Sequence, residues 1–423
     1  MPATIVAGVQ WGDEGKGRIV DLLAAEADMV IRCQGGPNAG HTVKNSLGKF
    51  VLHSIPSGIF HDSVRAIIGP GTVINPSSLV QEIRDLVTAG IDVSRLLISN
   101  RAHVILPYHK ALDHADEARR SDGDRVGTTG QGIGPAYADK AARCGIRAED
   151  LLDPSTLKER IQAELTQKNR LLTLYGQEPL EIEDVLSEVQ AAASFLAPYI
   201  GDTLVPISDA LRSGRRVILE GQLGVMRDID WGAYPFVTSS SPTPAGMAAG
   251  AGVPPQYVDR VIGIIKAYTT SVGNGPFPTE LTDQHGAALR EIGDEYGATT
   301  GRPRRCGWFD AVAAAWAARV AGFTELALTK LDVLDRMAEI PMCTAYTESG
   351  RVVTEFPTTR QMDRVQLVYE LWPGWQADTT GARTVSDLPS QARAYVDEIQ
   401  RRTGVPISHI SVGPERDAVI RVG

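Results

Sequence analysis

Asp13, Lys16 and His41 are the side chains around which a reaction can be built. A carboxylate in a glycine turn can take a proton or hold a divalent cation. A neighbouring ammonium can neutralise phosphate, and an imidazole beside a second glycine turn can stabilise charge on a phosphoryl group. The first turn reads Gln10-Trp11-Gly12-Asp13-Glu14-Gly15-Lys16-Gly17. It has the Gly-Lys core of a phosphate-binding loop but departs from the Walker pattern, with Gln10 at the place of the first glycine and Gly17 at the place of the magnesium-binding hydroxyl. Asp13 is therefore the expected magnesium ligand. The competing reading is an ordinary glycine turn with solvated charges.

Four further segments share this chemistry. Gln34-Gly35-Gly36-Pro37-Asn38-Ala39-Gly40-His41-Thr42 joins yielding backbone to an amide, an imidazole and a hydroxyl. Gly127-Thr128-Thr129-Gly130-Gln131-Gly132-Ile133-Gly134-Pro135, followed by Lys140 and Arg143, suits phosphate or sugar contacts, or is a plain surface loop. Gly297-Ala298-Thr299-Thr300-Gly301-Arg302-Pro303-Arg304-Arg305 concentrates arginines whose planar forks grip carboxylate or phosphate. Thr329-Lys330-Leu331-Asp332 resembles the guanine-reading element of GTPases, where the lysine stem covers the base and the carboxylate accepts from guanine N1 and N2.

These segments need elements to hold them. An apolar run over 4–9 followed by a glycine turn and a helix over 17–25 is the opening unit of a nucleotide-binding α/β fold. Further strands are expected at Met29–Arg32, Arg65–Ile68, Leu96–Ser99 and 103–105, with a helix ending at Gly90. Residues 150–213 read as a helical insertion or subdomain. Alternation resumes with the strand of RRVILEG and with RVIGIIKAYTTSVG. It continues through a small-residue helix over 309–321, a strand at Glu325–Thr329, a hairpin within 341–357 and a last helix over 390–402. The expected fold is α/β: a single large P-loop-like nucleotide-binding domain spanning 1–423, with a mostly parallel central sheet and helical insertions.

Composition bounds the partners. With 42 Lys plus Arg against 51 Asp plus Glu, a net charge of −9 argues against a nucleic-acid binder. Apolar residues at 43% call for a large buried core. The four cysteines are scattered without zinc spacing, and no segment reads as a signal peptide or a membrane span, so a soluble cytoplasmic protein is expected.

Taken together, QWGDEGKG, QGGPNAGHT, GTTGQGIGPAY, DIDWGAYPFVTSS, GPFPTE, GATTGRPRRCGW and TKLDVLD closely resemble the adenylosuccinate synthetase family, in order over nearly the whole chain. The resemblance implies a homodimer that joins L-aspartate to IMP at the expense of GTP, giving adenylosuccinate, GDP and phosphate. It assigns catalysis to Asp13 as base, His41 and Lys16 as phosphoryl stabilisers and, less directly, Gln222, with magnesium held by Asp13 and the Gly40 carbonyl. GTP would lie against Gly12, Asp13, Glu14, Gly15, Lys16, Gly17 and Arg18, then Gly40, His41, Thr42 and Arg304. Its base would lie among Lys330, Leu331, Asp332, Ser411, Val412 and Gly413. IMP would meet Asp13 to Lys16 (Glu14 and Gly15 included), Asn38, Ala39, Gly40, His41, Thr129, Gln222, Leu223, Thr238 and Arg302, with Arg143 donated by the partner subunit. Aspartate would meet Ala298, Thr299, Thr300, Gly301, Arg302, Pro303 and Arg304.

Departures cluster away from the GTP motifs. After RVILEG the family usually has Ala, then Gln or Asn, whose amide contacts the purine 6-oxygen; this chain has Gln222, then Leu223. Gln131, Trp231 and Ser241-Pro242-Thr243-Pro244 also depart from the usual pattern. Either Gln222 serves the 6-oxygen from a shifted loop, or that position is read differently. The alternatives to IMP–aspartate ligation are a paralogue aminating another purine nucleotide such as dGMP, and a GTP-binding switch that does no chemistry.

Overall fold

Strand β1 (Ala3–Gly8) forms from the first apolar run, and its side chains alternate between two hydrophobic clusters: Ile5 and Ala7 pack on one face of the sheet, Val6 on the other. A strand buried on both faces needs that near-continuous apolar sequence. The computed structural model describes residues 2–45, 47–121, 123–297, 301–362 and 364–422. Among them β1 is joined by β2 (Met29–Arg32), β3 (Arg65–Ile68), β4 (Leu96–Ser99), β5 (Ile200–Gly201), β6 (Val217–Gly224), β7 (Val258–Lys266), β8 (Glu325–Thr329), β9 (Ile407–Ser411) and β10 (Val419–Arg421). They form a ten-stranded sheet in the order β10-β9-β8-β7-β1-β6-β2-β3-β4-β5. Every neighbouring pair is parallel except β9 with β10. The mostly parallel α/β sheet expected from the sequence is therefore present.

The order explains where a site must form. From β1 the chain moves outward through β2 to β5, returns to insert β6 beside β1, then builds β7 to β10 on the other flank. β1 thus lies at the topological switch point, where loops at the carboxyl ends of neighbouring strands diverge and leave a crevice. The β1–β6 register breaks between Val6 and Gly8, so that Gly8 faces Gly224. A Cβ at Gly8 would meet both a Glu14 carboxylate oxygen and the Leu223 carbonyl at 2.5 Å, so these groups can approach the end of β1 this closely only at a glycine.

The helices are α1 (Lys16–Ala24), α2 (Pro76–Thr88), α3 (Pro107–Arg119), α4 (Ile133–Ala142), α5 (Pro154–Leu174), α6 (Ile182–Leu196), α7 (Leu204–Arg212) and, later, Ala311–Ala321 and Ser390–Thr403 among others. α5 to α7 occupy the stretch expected to be helical, and Leu157, Ile161, Val185 and Val189 share one core with Leu79 and Ile83 of α2. The stretch also carries β5, whose Ile200 pairs with Ile98 and extends the central sheet. Two residues are too few for periodicity to reveal a strand. Residues 103–105 differ from expectation in another way: His103–Val104 pairs with Val73–Ile74 in a separate two-stranded piece. The expected C-terminal hairpin is Glu339–Glu348 with Arg351–Val353, and a third strand, Gln366–Pro373, pairs with most of the first. That third strand is largely exposed, so it has no alternating apolar face to read. Among the described residues, no helix is long and apolar enough to cross a membrane.

Candidate active site

The loops that leave the carboxyl ends of β1, β2, β6, β8 and β9 enclose one cavity of about 1250 Å³. Single small-molecule sites usually occupy roughly 300–1,000 Å³, so this volume suits more than one ligand at once. Asp13, Lys16, Asn38 and His41 line it, as do Thr129, Thr238, Arg304, Lys330 and Asp332.

The phosphate turn is held from inside. Glu14, fully buried, accepts the Gln10 N–H at 3.1 Å and the Gly12 N–H at 2.9 Å, and pairs with Lys16 at 2.5 Å. Gly12 and Gly15 adopt φ of +108° and +92°, values that side chains resist. Gln10 fastens the turn to the neighbouring strand: its amide N–H donates to the Tyr268 carbonyl at 2.9 Å, and its oxygen accepts the Lys266 N–H at 3.0 Å. A glycine at this place could make neither bond, which accounts for the departure from the Walker pattern. The Thr329 hydroxyl donates to the Glu14 carbonyl at 2.7 Å, joining the guanine element to the phosphate turn.

His41 is oriented by a carboxylate that motif reading missed. Its Nδ1 lies 2.5 Å from Oε1 of Glu220, in the middle of β6, and the same carboxylate accepts the Ser57 N–H and hydroxyl, each at 2.7 Å. Burial, then the Arg32 charge, pushes the His41 pKa down. Burial alone would raise Glu220, but the hydrogen bond and charge of His41, with Arg32, carry it below the ordinary value. With Nδ1 committed to Glu220, Nε2 is the nitrogen left for the cavity. The visible signal was an acid closing the apolar strand RRVILEG.

Asp13 sits at φ +59° and meets Arg304 Nε at 3.1 Å. Arg304 also binds the buried Glu295 at 2.6 Å, and Glu295 binds Lys266 at 2.7 Å. This chain of alternating charge runs from β7 to the phosphate turn. Burial would raise Glu295, but Lys266, Lys330 and Arg304 hold it at about 2, while burial brings Lys266 down to about 8. A lysine inside the apolar run VIGIIK was the sequence signal for this chain.

At the guanine end, Lys330 has φ +62° and its ammonium donates to the Gly293 carbonyl. Burial raises the Asp332 pKa. Ser411 and Gly413 line the cavity, whereas Leu331 and Val412 are buried outside its lining. Arg18 reaches the cavity, but its guanidinium is spent on the Ser411 hydroxyl and on the carbonyls of Gly413, Glu415 and Ala418, so it braces the loop. Gly15, Gly17, Ala39, Gly40 and Thr42 line the cavity; Gly12 does not, its N–H being given to Glu14. The Asp13 carboxylate and the Gly40 carbonyl are hard oxygen donors of the kind magnesium takes, and both border the cavity.

The arginine segment does not act as one trap. Arg304 faces the cavity, while Arg305 is held by Glu280 and by the Gly273 and Gly275 carbonyls. Arg302 is exposed, with Nη1 3.4 Å from the Thr128 carbonyl. Gly301 and Pro303 are also exposed and lie off the cavity lining. Ala298, Thr299 and Thr300 lie outside the described residues. Arg143, at φ +67° just after α4, does not line the cavity of its own chain. Gln222 is fully buried and absent from the cavity lining, where Leu223 stands instead. Arg227, unnoticed in the sequence, spans the 228–238 loop through the Phe236 and Val272 carbonyls at 2.6 Å each.

The adenylosuccinate synthetase family model matches residues 5–420. The chain is 52% identical to the adenylosuccinate synthetase of Nitratidesulfovibrio vulgaris (strain DP4), over all of both chains. It is 50% identical to that of Listeria monocytogenes serovar 1/2a, over 98% of this chain and 97% of the relative. The structure of fully ligated adenylosuccinate synthetase from Plasmodium falciparum superposes with a TM-score of 0.95 at 35% identity, covering 100% of both chains. The cyanophage S-2L succinoaminodeoxyadenylate synthetase, bound to dGMP and dATP, shares the fold alone, with a TM-score of 0.63 at 20% identity over 99% of this chain and 95% of its own. A family match across almost the entire chain, with the turn at Asp13–Lys16, the Thr329–Asp332 segment and the oriented His41 bordering one cavity, places this chain in the adenylosuccinate synthetase family.

Proposed function

We propose that the protein is a GTP-dependent carbon–nitrogen ligase that joins L-aspartate to IMP through a 6-phosphoryl intermediate, releasing adenylosuccinate, GDP and phosphate on the way to AMP. The observation that carries this reading is the shared cavity: Asp13 and His41 border the same space as Lys330 and Asp332, so a base and an imidazole stand within reach of a guanine nucleotide. A switch that only binds GTP has no use for a histidine oriented by a buried carboxylate.

In this reading Asp13 takes the N1 proton of IMP, and O6 attacks the γ-phosphorus as GDP leaves. His41, held through Nδ1 by Glu220, turns Nε2 to the transferring phosphoryl, and Lys16 exchanges Glu14 for phosphate oxygens. The aspartate amine then attacks C6, and the C6–O6 bond breaks with departure of phosphate and loss of an amine proton. Arg304 offers its fork to the aspartate carboxylates or to the nucleotide. Magnesium, held by Asp13 and the Gly40 carbonyl, would offset phosphate charge when bound. We further propose a homodimer in which Arg143 serves the partner's site, which agrees with its absence from the cavity of its own chain. Nucleotide substrates and four free thiols support a cytoplasmic setting.

The test is the purified protein with IMP, GTP, aspartate and magnesium, followed by absorbance and by phosphate release. Adenylosuccinate formation is expected. Phosphate release without dependence on aspartate, or ligation of dGMP in preference to IMP, would overturn the assignment. For the dimer, mixing Arg143→Leu with Asp13→Asn should restore activity through hybrid sites, and no recovery would refute donation across the interface.

A further inference from the structure

The buried amide of Gln222 has a use of its own. Arg32, at the end of β2 and almost fully buried, donates from Nη2 to the Gln222 side-chain oxygen at 2.5 Å. Gln222 Nε2 in turn donates to the Asn38 side-chain oxygen at 3.2 Å, and Asn38 borders the cavity. The direction of this relay is fixed by chemistry, because a guanidinium can only donate. Gln222 must therefore give Arg32 its oxygen and keep its NH₂ for Asn38. Asn38 must then give Gln222 its oxygen, which leaves its own NH₂ for the cavity.

The surrounding chain is shaped for this relay. Gly35 stands at φ +77°, and a Cβ there would fall 1.3 Å from Gln222 Nε2, so the turn passes the amide only as glycine. The Gln34 side-chain NH₂ donates to the Gln222 carbonyl at 2.7 Å, and the Ser240 hydroxyl donates to the Gln34 oxygen at 3.2 Å. Gln222 is thus bonded to the 34–38 turn through backbone and side chain alike. Leu223, at φ +58°, faces the cavity and leans over Gly12, where a Cβ would meet its Cδ2 at 3.2 Å.

We propose that Gln222 is a positioning residue for nucleotide recognition. Driven by Arg32, it holds Asn38 with its N–H groups toward the cavity, so that Asn38 donates to an acceptor oxygen of the purine nucleotide. Gln222 itself does not touch the reacting base. This inference rests on the reading of the cavity as a purine mononucleotide site, and its test separates the two.

Gln222→Glu keeps an acceptor for Arg32 but supplies no donor, so Asn38 must turn its NH₂ inward and present its oxygen to an anionic nucleotide. Gln222→Met, of similar length, neither donates nor accepts and leaves Asn38 without a preferred direction. Calorimetry with IMP should show the dissociation constant raised about tenfold or more in Gln222→Glu, the scale of one misdirected hydrogen bond to a charged group, and less in Gln222→Met. In turnover assays the KM for IMP should rise, while the KM for GTP stays unchanged and kcat falls by less than about threefold. Adding Asn38→Ala to Gln222→Glu should cost nothing further. An unchanged IMP affinity in Gln222→Glu, or additive losses in the double variant, would overturn the inference while leaving IMP turnover by the unmodified protein intact. An unmodified protein that does not bind IMP overturns both readings. If Gln222→Glu does not fold, an IMP affinity in Gln222→Met equal to that of the unmodified protein would overturn it.

Discussion

The guanine end and the arginine end of the cavity are built differently. At the guanine end, the phosphate turn, Thr329 and the loop at Ser411 are tied through main-chain groups: the Gln10 and Gly12 N–H to Glu14, the Thr329 hydroxyl to the Glu14 carbonyl, and Arg18 to carbonyls near the C-terminus. At the arginine end, adjacent arginines have unlike fates, because each is claimed by a different carboxylate outside the arginine motif: Glu295 takes Arg304 and Glu280 takes Arg305. Inside the phosphate turn the ties from Gly12 and Gln10 to Glu14 stay within one motif and so follow its spacing. Side-chain ion pairs depend on which acid the fold brings within reach. A motif is therefore a good guide at the first end and a poor one at the second.

That contrast can be broken by substitution. The largest effect is expected at the junction of the two ends: Asp13→Asn should lower kcat by about 10³-fold or more with the fold retained, since a positioned general base is lost from a partly exposed site. Steady-state rates with melting curves check this, and near-normal turnover would show the base to be misassigned. Next comes Glu295→Gln, which strands Lys266 and Arg304 together in the interior. Breaking a buried pair of this kind costs roughly 3–5 kcal/mol, so a large fall in Tm and a rise in the KM for aspartate greater than that for GTP are expected. A protein as stable as the original would show that this charge chain does not organise the arginine end.

Glu295 also sets an acid limit. Its folded pKa of about 2 lies below its ordinary value of 4.5. A carboxylate with a lowered pKa contributes stability that is complete above the unfolded value and is lost as pH falls toward the folded one. Melting temperatures should drop between about pH 4.5 and pH 2, less steeply in Glu295→Gln. Equal slopes in the two proteins would place the acid sensitivity elsewhere.

Smaller effects are expected at the guanine end. Asp332→Asn should reduce the preference for GTP over ITP by about tenfold, since one charged acceptor for the guanine amine is worth roughly 1.5–3 kcal/mol. An unchanged ratio of kcat/KM would contradict the role given to Asp332. Thr329→Val removes one hydrogen bond between guanine element and phosphate turn and should cost about 1 kcal/mol, seen as a several-fold rise in the KM for GTP with aspartate kinetics unaltered. A matching rise for aspartate would mean that the two ends are one mechanical unit.

Much of the molecule was legible before any coordinates. β1, α1, β2, β3, β4 and β8 lie within a residue or two of the places that apolar runs and glycine breaks marked. The cavity gathers Asp13, Lys16, Asn38, His41, Thr129, Thr238, Arg304, Lys330 and Asp332 as the motifs implied. β5 and the Gln366–Pro373 strand were not legible, the first for its length and the second because its surface is mostly exposed. Glu220 and Lys266 were visible as charges closing apolar runs, and Glu295 only as one acid in a charged stretch, but nothing local says that the first orients His41 and the others anchor Arg304.

The sequence by itself determined the alternating α/β order and the two turns, after β1 and after β8, that border the cavity. Strand periodicity, glycine conformation and helix starts are local properties, written into neighbouring residues. Only the tertiary structure decided the direction of each polar side chain. Gln222 is one residue from a cavity-facing position, yet a parallel strand brings Arg32 beneath it, and a guanidinium that cannot accept compels the amide to turn inward. That choice belongs to residues 32, 38 and 222 together, and no single segment of the chain contains it.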